Sequence, residues 1–426
     1  MKFQAVKGMR DFYPEQMRLR NYVFDAWRRV SLRNGFEEYD APILEHLDLL
    51  TIKSGQEIAE QLFSLTDRGG RSLAIRPEIT PSLARMVNAK INSLARPIKW
   101  FSVPRLCRAE NPQKGRLREF FQWNVDVIGT DDVLADAECI FVLVDFLREI
   151  GLTPRDVQVR IGSRALAAAK LRERGVSEDQ LPEVFALLDK RAKLSDEQFD
   201  KLCKGVGTPA ELVRVMNEFE AEAKAASQQR WDALLSAGQT ETESLRRLFE
   251  SLESFGAADY CLYDPRIVRG LAYYTGIVYE AFDAGQSMRA IAGGGRYDNL
   301  LAVLGGPPLG ATGFGMGDVV LGILLEEKGK LPALSGSLEY FVIDDQGASP
   351  EQVLKVLEVV GALRRAGRSA DFSYARRPTG KQLKDADKRG ARKAVLVRQD
   401  GTVGIKDLAT GNQSEMPLDQ FLKNPT

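Results

Sequence analysis

Three features of this 426-residue chain predict an α+β domain built on an antiparallel sheet, broken by a helical insertion and followed by a small α/β domain. Short β-rich runs (FEEYDAPIL, SLAIRP, IKWFSVPRLCR and REFFQWNVDVIG) are separated by charged, Gly-containing turns such as TDRGGR at 66–71, the pattern of hairpins. From about 164 to 255 the composition shifts to Ala, Glu, Lys, Leu and Arg at helical spacing. Beyond residue 336, strand-like and helix-like segments alternate, the signature of an α/β unit with a largely parallel sheet.

Taken in order, residues 16–34 carry apolar side chains at helical spacing until Gly35 ends the helix. The β-rich runs follow, with a helix expected at about 131–150. Segments such as RALAAAKLRER and AELVRVMNEFEAEAKAA form the insertion, after which IVRGLAYYTGIVYEAFD and MRAIAGGG read as strands and VVLGILLEEK as an apolar helix. GKLPALSGS at 329–337 has linker composition, so the first domain is expected over 1–330 and the second over 336–426.

Composition excludes several classes of function. No apolar run approaches the roughly 18 residues that span a bilayer. The charged start MKFQAVKGMRDFYPEQ does not read as a secretory signal, so a cytoplasmic protein is expected. Cys107, Cys139, Cys203 and Cys261 show no CxxC or paired spacing, which predicts buried thiols and no resident metal site. His46 is the single histidine, so no imidazole relay is expected. Net charge is zero, but Arg364–Arg398 holds twelve basic residues against Asp371, Asp385 and Asp387. A charge run is commonly a solvated face; an excess this large in a neutral chain also fits a phosphate-binding patch.

The stretches that carry chemistry are rich in arginine. RLCRAENPQKGRLREFFQWNVDVIG at 105–129 places Lys114, Arg116 and Arg118 in a loop between aromatic-bearing strands, where guanidinium groups suit a nucleotide's phosphates. In RGLAYYTGIVYE at 269–280, Arg269 precedes Tyr273 and Tyr274, which point to alternate sides if the segment is a strand. Glu78 and Thr80 in RPEIT share one face of an extended segment, as do Gln122 and Asp126. GGGRYD at 293–298 brings backbone close to whatever lies above it. GFGMGD at 313–318 fails the dinucleotide GxGxxG pattern at Asp318.

Together these motifs resemble the class II aminoacyl-tRNA synthetases, and the histidyl-tRNA synthetases in particular, from KGMRDFYPE at the start to GKQLKDADKRGARKAVLV near the end. The resemblance is weakest in the helical insertion. It implies an ATP- and Mg²⁺-dependent ligase that joins histidine to its cognate tRNA, dimeric through the region around Pro42. Arg108 and Arg269 would be catalytic, on the α-phosphate. Histidine would meet Glu78, Thr80, Gln122, Asp126, Tyr273 and Tyr274. ATP would meet Arg108, Glu110, Arg116, Phe120 and Arg296, and tRNA would meet Lys381, Lys384, Lys388 and Arg389 in an anticodon-binding domain.

Three positions depart from the family pattern. Asp126 stands where the family carries Glu, and Ala272 where it carries an acid. Val320 stands where motif 3 carries an Arg for the γ-phosphate, so either Arg296, Arg116 or Mg²⁺ supplies that charge or ATP binds more weakly. Such departures also suit the histidine-binding regulatory paralogues of the family, which usually lack the C-terminal domain. The basic C-terminal segment and the joint presence of Arg108 and Arg269 favour the ligase.

Overall fold

REFFQWNVDVIG becomes the ten-residue strand Glu119–Ile128, whose alternation organises the first part of the molecule. Phe121, Trp123, Val125 and Val127 enter the main apolar core, while Gln122 and Asp126 face the opposite side, as the two-residue period requires. In the computed structural model the described residues are all except 1–2, 52–60, 192–193, 228–230, 232–239, 271–272, 333, 335, 337, 346–348, 376 and 426. Ala272, Arg376 and parts of the 329–337 linker lie outside them.

The main sheet runs Glu37–Glu38, Ile98–Ser102, Glu119–Ile128, Ala311–Gly317, Ala292–Arg296, Ile277–Asp283, Val157–Ser163 and Cys261–Tyr263, with Arg105–Cys107 also pairing to Glu119–Ile128. Its six central strands are antiparallel and only the outermost pair at each edge is parallel. Helices Pro14–Arg33 and Leu134–Glu149 cover one face, where Trp27 stacks on Trp123 with centroids 6.0 Å apart and Trp123 meets Phe146 at 5.2 Å. Pro14 at the first helical turn sets that helix two residues earlier than periodicity suggests.

The insertion has its own core, which includes Leu171, Val184, Phe185, Phe199, Met216 and Phe219. Its last helix, Thr240–Ser254, instead buries Leu245, Leu248, Phe249 and Leu252 in the main core. All four cysteines are buried and unpaired, and His46 is exposed on a small separate sheet.

The chain divides into two compact units, Met1–Leu331 and Pro332–Thr426. In the second, strand Tyr340–Asp344 pairs in parallel with Ala370–Phe372 and Lys393–Val397, between which helices Pro350–Arg365 and Thr379–Lys388 run in the chain. The expected largely parallel sheet is corrected here: Thr402–Asp407 and Gln413–Pro417 add as antiparallel strands, so half the pairings are antiparallel. The turn residues Thr410 and Gly411, with Asp407 accepting from the turn's backbone, close a hairpin that needs no crossover helix.

Candidate active site

The opposite face of the main sheet floors a cleft of about 640 Å³. Among the expected residues, Glu78, Thr80, Arg108, Glu110, Arg116, Phe120, Gln122, Asp126, Arg269, Tyr273 and Tyr274 all line it. Glycine makes the floor possible. A Cβ at Gly313 would collide with Asp126 Oδ1, one at Gly315 would lie 2.7 Å from Gln122 Cδ, and one at Gly293 would lie 2.6 Å from Arg269 Nη1.

Two contact networks divide the lining. In the first, Tyr273 Oη donates to Glu78 Oε2 at 3.1 Å, the Tyr273 ring meets Tyr297 edge-on at 6.0 Å, and Tyr297 Oη donates to Asp126 Oδ1 at 2.5 Å. This leaves Glu78 Oε1 and Asp126 Oδ2 buried and without a hydrogen-bond partner among the described residues. Unpaired buried acceptors are costly, so two of them facing one cleft suit a ligand that brings N–H donors. Burial pushes the Asp126 carboxyl up to about 7 despite the hydrogen bond from Tyr297. Burial also raises Glu78, restrained by the Arg108 charge and by Tyr273.

The second network is cationic. Arg108 donates to the Pro77 carbonyl at 3.1 Å and lies 5.2 Å from the centroid of the Phe120 ring. Arg116 pairs with Glu110 at 2.8 Å beyond the tight turn that Gly115 makes at φ 78°. Arg269 pairs with the buried Glu280; burial works against its charge, but Glu280, Tyr274 and Asp189 together outweigh it and keep the guanidinium firmly protonated. Arg269 also adopts φ 56°, a left-handed conformation unusual for a side-chain-bearing residue, with its carbonyl held by Arg164 at 3.2 Å.

Several expectations require correction. Glu78 and Thr80 do not lie on a strand; Thr80 opens helix Thr80–Ala89, because Pro81 suits a first helical turn and the preceding Ile79 is already helical. Both nevertheless reach the cleft. Tyr273 and Tyr274 precede strand Ile277–Asp283 rather than alternating along it, and their rings sit 5.0 Å apart with both lining the cleft. Arg296 is not among the lining residues; its guanidinium is held by Asp136, with Nη2 donating to Asp132 O at 3.0 Å and Nη1 to Thr130 O at 3.2 Å. It is an internal strut that is already fully engaged.

Other lining residues escaped the sequence reading. Tyr297 stood within the GGGRYD motif and Glu280 closed RGLAYYTGIVYE, so each was available. Asp189 from insertion helix Leu181–Arg191 and Arg289 gave no local signal. Asp318, where the dinucleotide pattern failed, accepts from the Phe121 amide at 2.9 Å and pairs with Arg10 at 2.7 Å, fixing the strand that carries Gln122.

In the second unit, Lys381, Lys384 and Lys388 are exposed on helix Thr379–Lys388 and form no ion pair among the described residues. Their spacing of three and four sets them on one side of the helix. Arg389 pairs with Asp371 and Arg377 with Asp385, so part of the positive excess is internally balanced.

A family profile described as histidyl-tRNA synthetase matches residues 8–317, and one described as an anticodon-binding domain matches 342–424. The chain is 41% identical to a histidine–tRNA ligase of Opitutus terrae, over 98% of this chain and 97% of the relative. It is 40% identical to a chloroplastic/mitochondrial histidine–tRNA ligase of Arabidopsis thaliana, over 97% of this chain and 84% of that one. In fold it is similar to a histidyl-tRNA synthetase from Nostoc sp. PCC 7120, with TM-score 0.78 and 24% identity over the whole of both chains. No described helix is long and apolar enough to cross a membrane. With a profile spanning most of the chain and relatives this similar end to end, the chain belongs to the histidyl-tRNA synthetase family.

Proposed function

We propose that this chain is a histidine–tRNA ligase, a cytoplasmic homodimer that uses ATP to charge its cognate tRNA. The observation that carries the reading is that Arg108 and Arg269 line the same cleft as the unpartnered acceptors of Glu78 and Asp126. Glu78 Oε1, with Thr80 and Gln122, takes the ammonium of histidine. Asp126 Oδ2 takes an imidazole N–H, directly or through one water, and Tyr273 and Tyr274 wall the ring. Phe120 stacks on adenine, Glu110 accepts from its amino group, and Arg116 lies along the phosphates.

In the first step a histidine carboxylate oxygen forms a bond to the α-phosphorus and the bond to pyrophosphate breaks. The substrate is its own nucleophile, so no protein base is needed; Arg108 and Arg269 offset the charge that builds on the phosphoryl oxygens. In the second step the terminal ribose hydroxyl of tRNA attacks the carbonyl carbon and AMP departs. Among the described residues no group of three or more His, Cys, Asp or Glu side chains could hold a metal. Mg²⁺ is assigned to the ATP phosphates, as part of the substrate. The face bearing Lys381, Lys384 and Lys388, with Arg389 beside it, is assigned to tRNA phosphates.

Pyrophosphate exchange with each of the twenty amino acids tests the reading. Exchange with histidine alone, followed by esterification of tRNA, is expected. Histidine binding without exchange would identify a regulatory paralogue instead.

A further inference from the structure

Four guanidinium groups line the cleft, and three have protein partners. Arg269 pairs with Glu280, Arg116 with Glu110, and Arg108 with the Pro77 carbonyl. The fourth, Arg289, is exposed to the cleft and forms no hydrogen bond or ion pair among the described residues. It lies in the connection between strands Ile277–Asp283 and Ala292–Arg296. That connection is pinned beneath it: Asp283 accepts from the Ser287 amide at 3.0 Å, the Ser287 hydroxyl at 2.9 Å and the Met288 amide at 2.9 Å. The uncompensated cation is therefore presented from an anchored turn.

Its location is set by Gly115. A Cβ there would lie 3.3 Å from Val320 Cγ2 and 3.8 Å from Arg289 Cδ, so both side chains reach the same corner beside the Gln113–Arg116 turn. Helix Asp318–Glu327 contributes only Val319 and Val320 to the cleft lining. Arg116, paired with Glu110, is the other cation at that corner, and burial together with the Arg116 charge, only partly offset by Glu110, makes Arg289 easier to deprotonate than an ordinary arginine. Two like charges held on one wall favour an anion between them.

We propose that Arg289 binds the terminal phosphates of ATP, supplying from an inter-strand turn the cation that helix Asp318–Glu327 does not provide. The inference rests on reading the cleft as an ATP site and deepens that reading. Arg108 and Arg269 touch the amino-acid network, the first through the Glu78 charge and the second 5.8 Å from the Tyr274 ring, so they occupy the junction of carboxylate and α-phosphorus. Arg289, with Arg116 and the Gly115 turn, belongs to the other network, where the β- and γ-phosphates extend. Arg289 thus recognises ATP and pyrophosphate but makes no contact with AMP.

The test compares wild type, Arg289→Ala and Arg289→Lys. Equilibrium binding of ATP and of AMP is measured on each, along with the KM for ATP and for histidine in exchange. Loss of a charge-assisted contact predicts about a ten- to hundredfold weaker ATP affinity in Arg289→Ala. AMP affinity and the histidine KM should stay within about twofold. Arg289→Lys should recover part of the loss, because a point charge replaces the guanidinium without its fork. Unchanged ATP affinity in Arg289→Ala, or an equal loss for AMP, overturns the assignment while leaving the ATP site in place. A wild-type protein that binds no ATP overturns the ATP reading itself, and this inference with it.

Discussion

Replacing Asp126 by Asn removes a buried carboxylate without removing its shape, and the structure gives the size of the effect. Asn Oδ1 can still accept from Tyr297, so the 2.5 Å hydrogen bond has a substitute. What disappears is the titration. Burial raises Asp126 from 3.8 to about 7, so the folded protein favours the protonated form. A raised carboxyl contributes stability that is full below the unfolded value and is lost as pH rises through the folded one. At 1.36 kcal/mol per pKa unit the wild type forfeits on the order of 2 kcal/mol by pH 5 and about 4 kcal/mol by pH 8, relative to the neutral side chain. Asp126→Asn should therefore be nearly as stable as wild type at pH 4 and more stable by about 4 kcal/mol at pH 8. Urea unfolding followed by tryptophan fluorescence reads this directly, because Trp27, Trp100, Trp123 and Trp231 all lie in the Met1–Leu331 unit. The variant should also lose histidine-dependent exchange, since stability gained at a site is commonly taken from function. A stability difference that does not change between pH 4 and pH 8 would refute the claim that burial makes ionisation of Asp126 costly in the folded protein.

Further outcomes follow from the same contacts. Arg269→Ala should lower the rate of adenylation roughly 10²–10³-fold, the usual loss for a transition-state donor, as read by single-turnover kinetics. It should also destabilise the protein by about 3–5 kcal/mol, because Glu280 is left buried without its partner. Gly313→Ala places a methyl group against Asp126 Oδ1 and Val125 O, and should abolish histidine binding in calorimetry while ATP binding persists. Replacing Lys381, Lys384 and Lys388 together by Ala should raise the KM for tRNA at least tenfold and flatten its salt dependence by about two to three units of slope. Pyrophosphate exchange should be unchanged in that variant.

The parts legible in the sequence were those governed by local period and local chemistry. Gln122 and Asp126 face the cleft because a strand alternates, and the six-strand antiparallel core follows from β-rich runs broken by turns. Where a proline or a turn overrode the period, the reading failed: Pro81 starts a helix at Thr80, and the strand after Arg269 begins only at Ile277. Contacts between distant segments were the hardest. Arg296 looked available beside a glycine run, yet its partner Asp136 lies on a helix 160 residues earlier in the chain. Arg289 meets the Gly115 turn only after two strands fold across the sheet, so the replacement for a charge missing at Val320 could not be read from its neighbours. The two C-terminal antiparallel strands were hidden because a hairpin added to a parallel sheet resembles, in sequence, one more alternating run.

The convergence of Arg108 and Arg269 on one phosphorus is tested most directly by a crystal structure with a non-hydrolysable histidyl-adenylate analogue. The account predicts both guanidinium groups within about 3.2 Å of the phosphate-equivalent oxygens, with the imidazole turned toward Asp126 and the ammonium toward Glu78. An analogue bound with Arg269 still closed on Glu280 and away from those oxygens, or with the imidazole pointing away from Asp126, would contradict it.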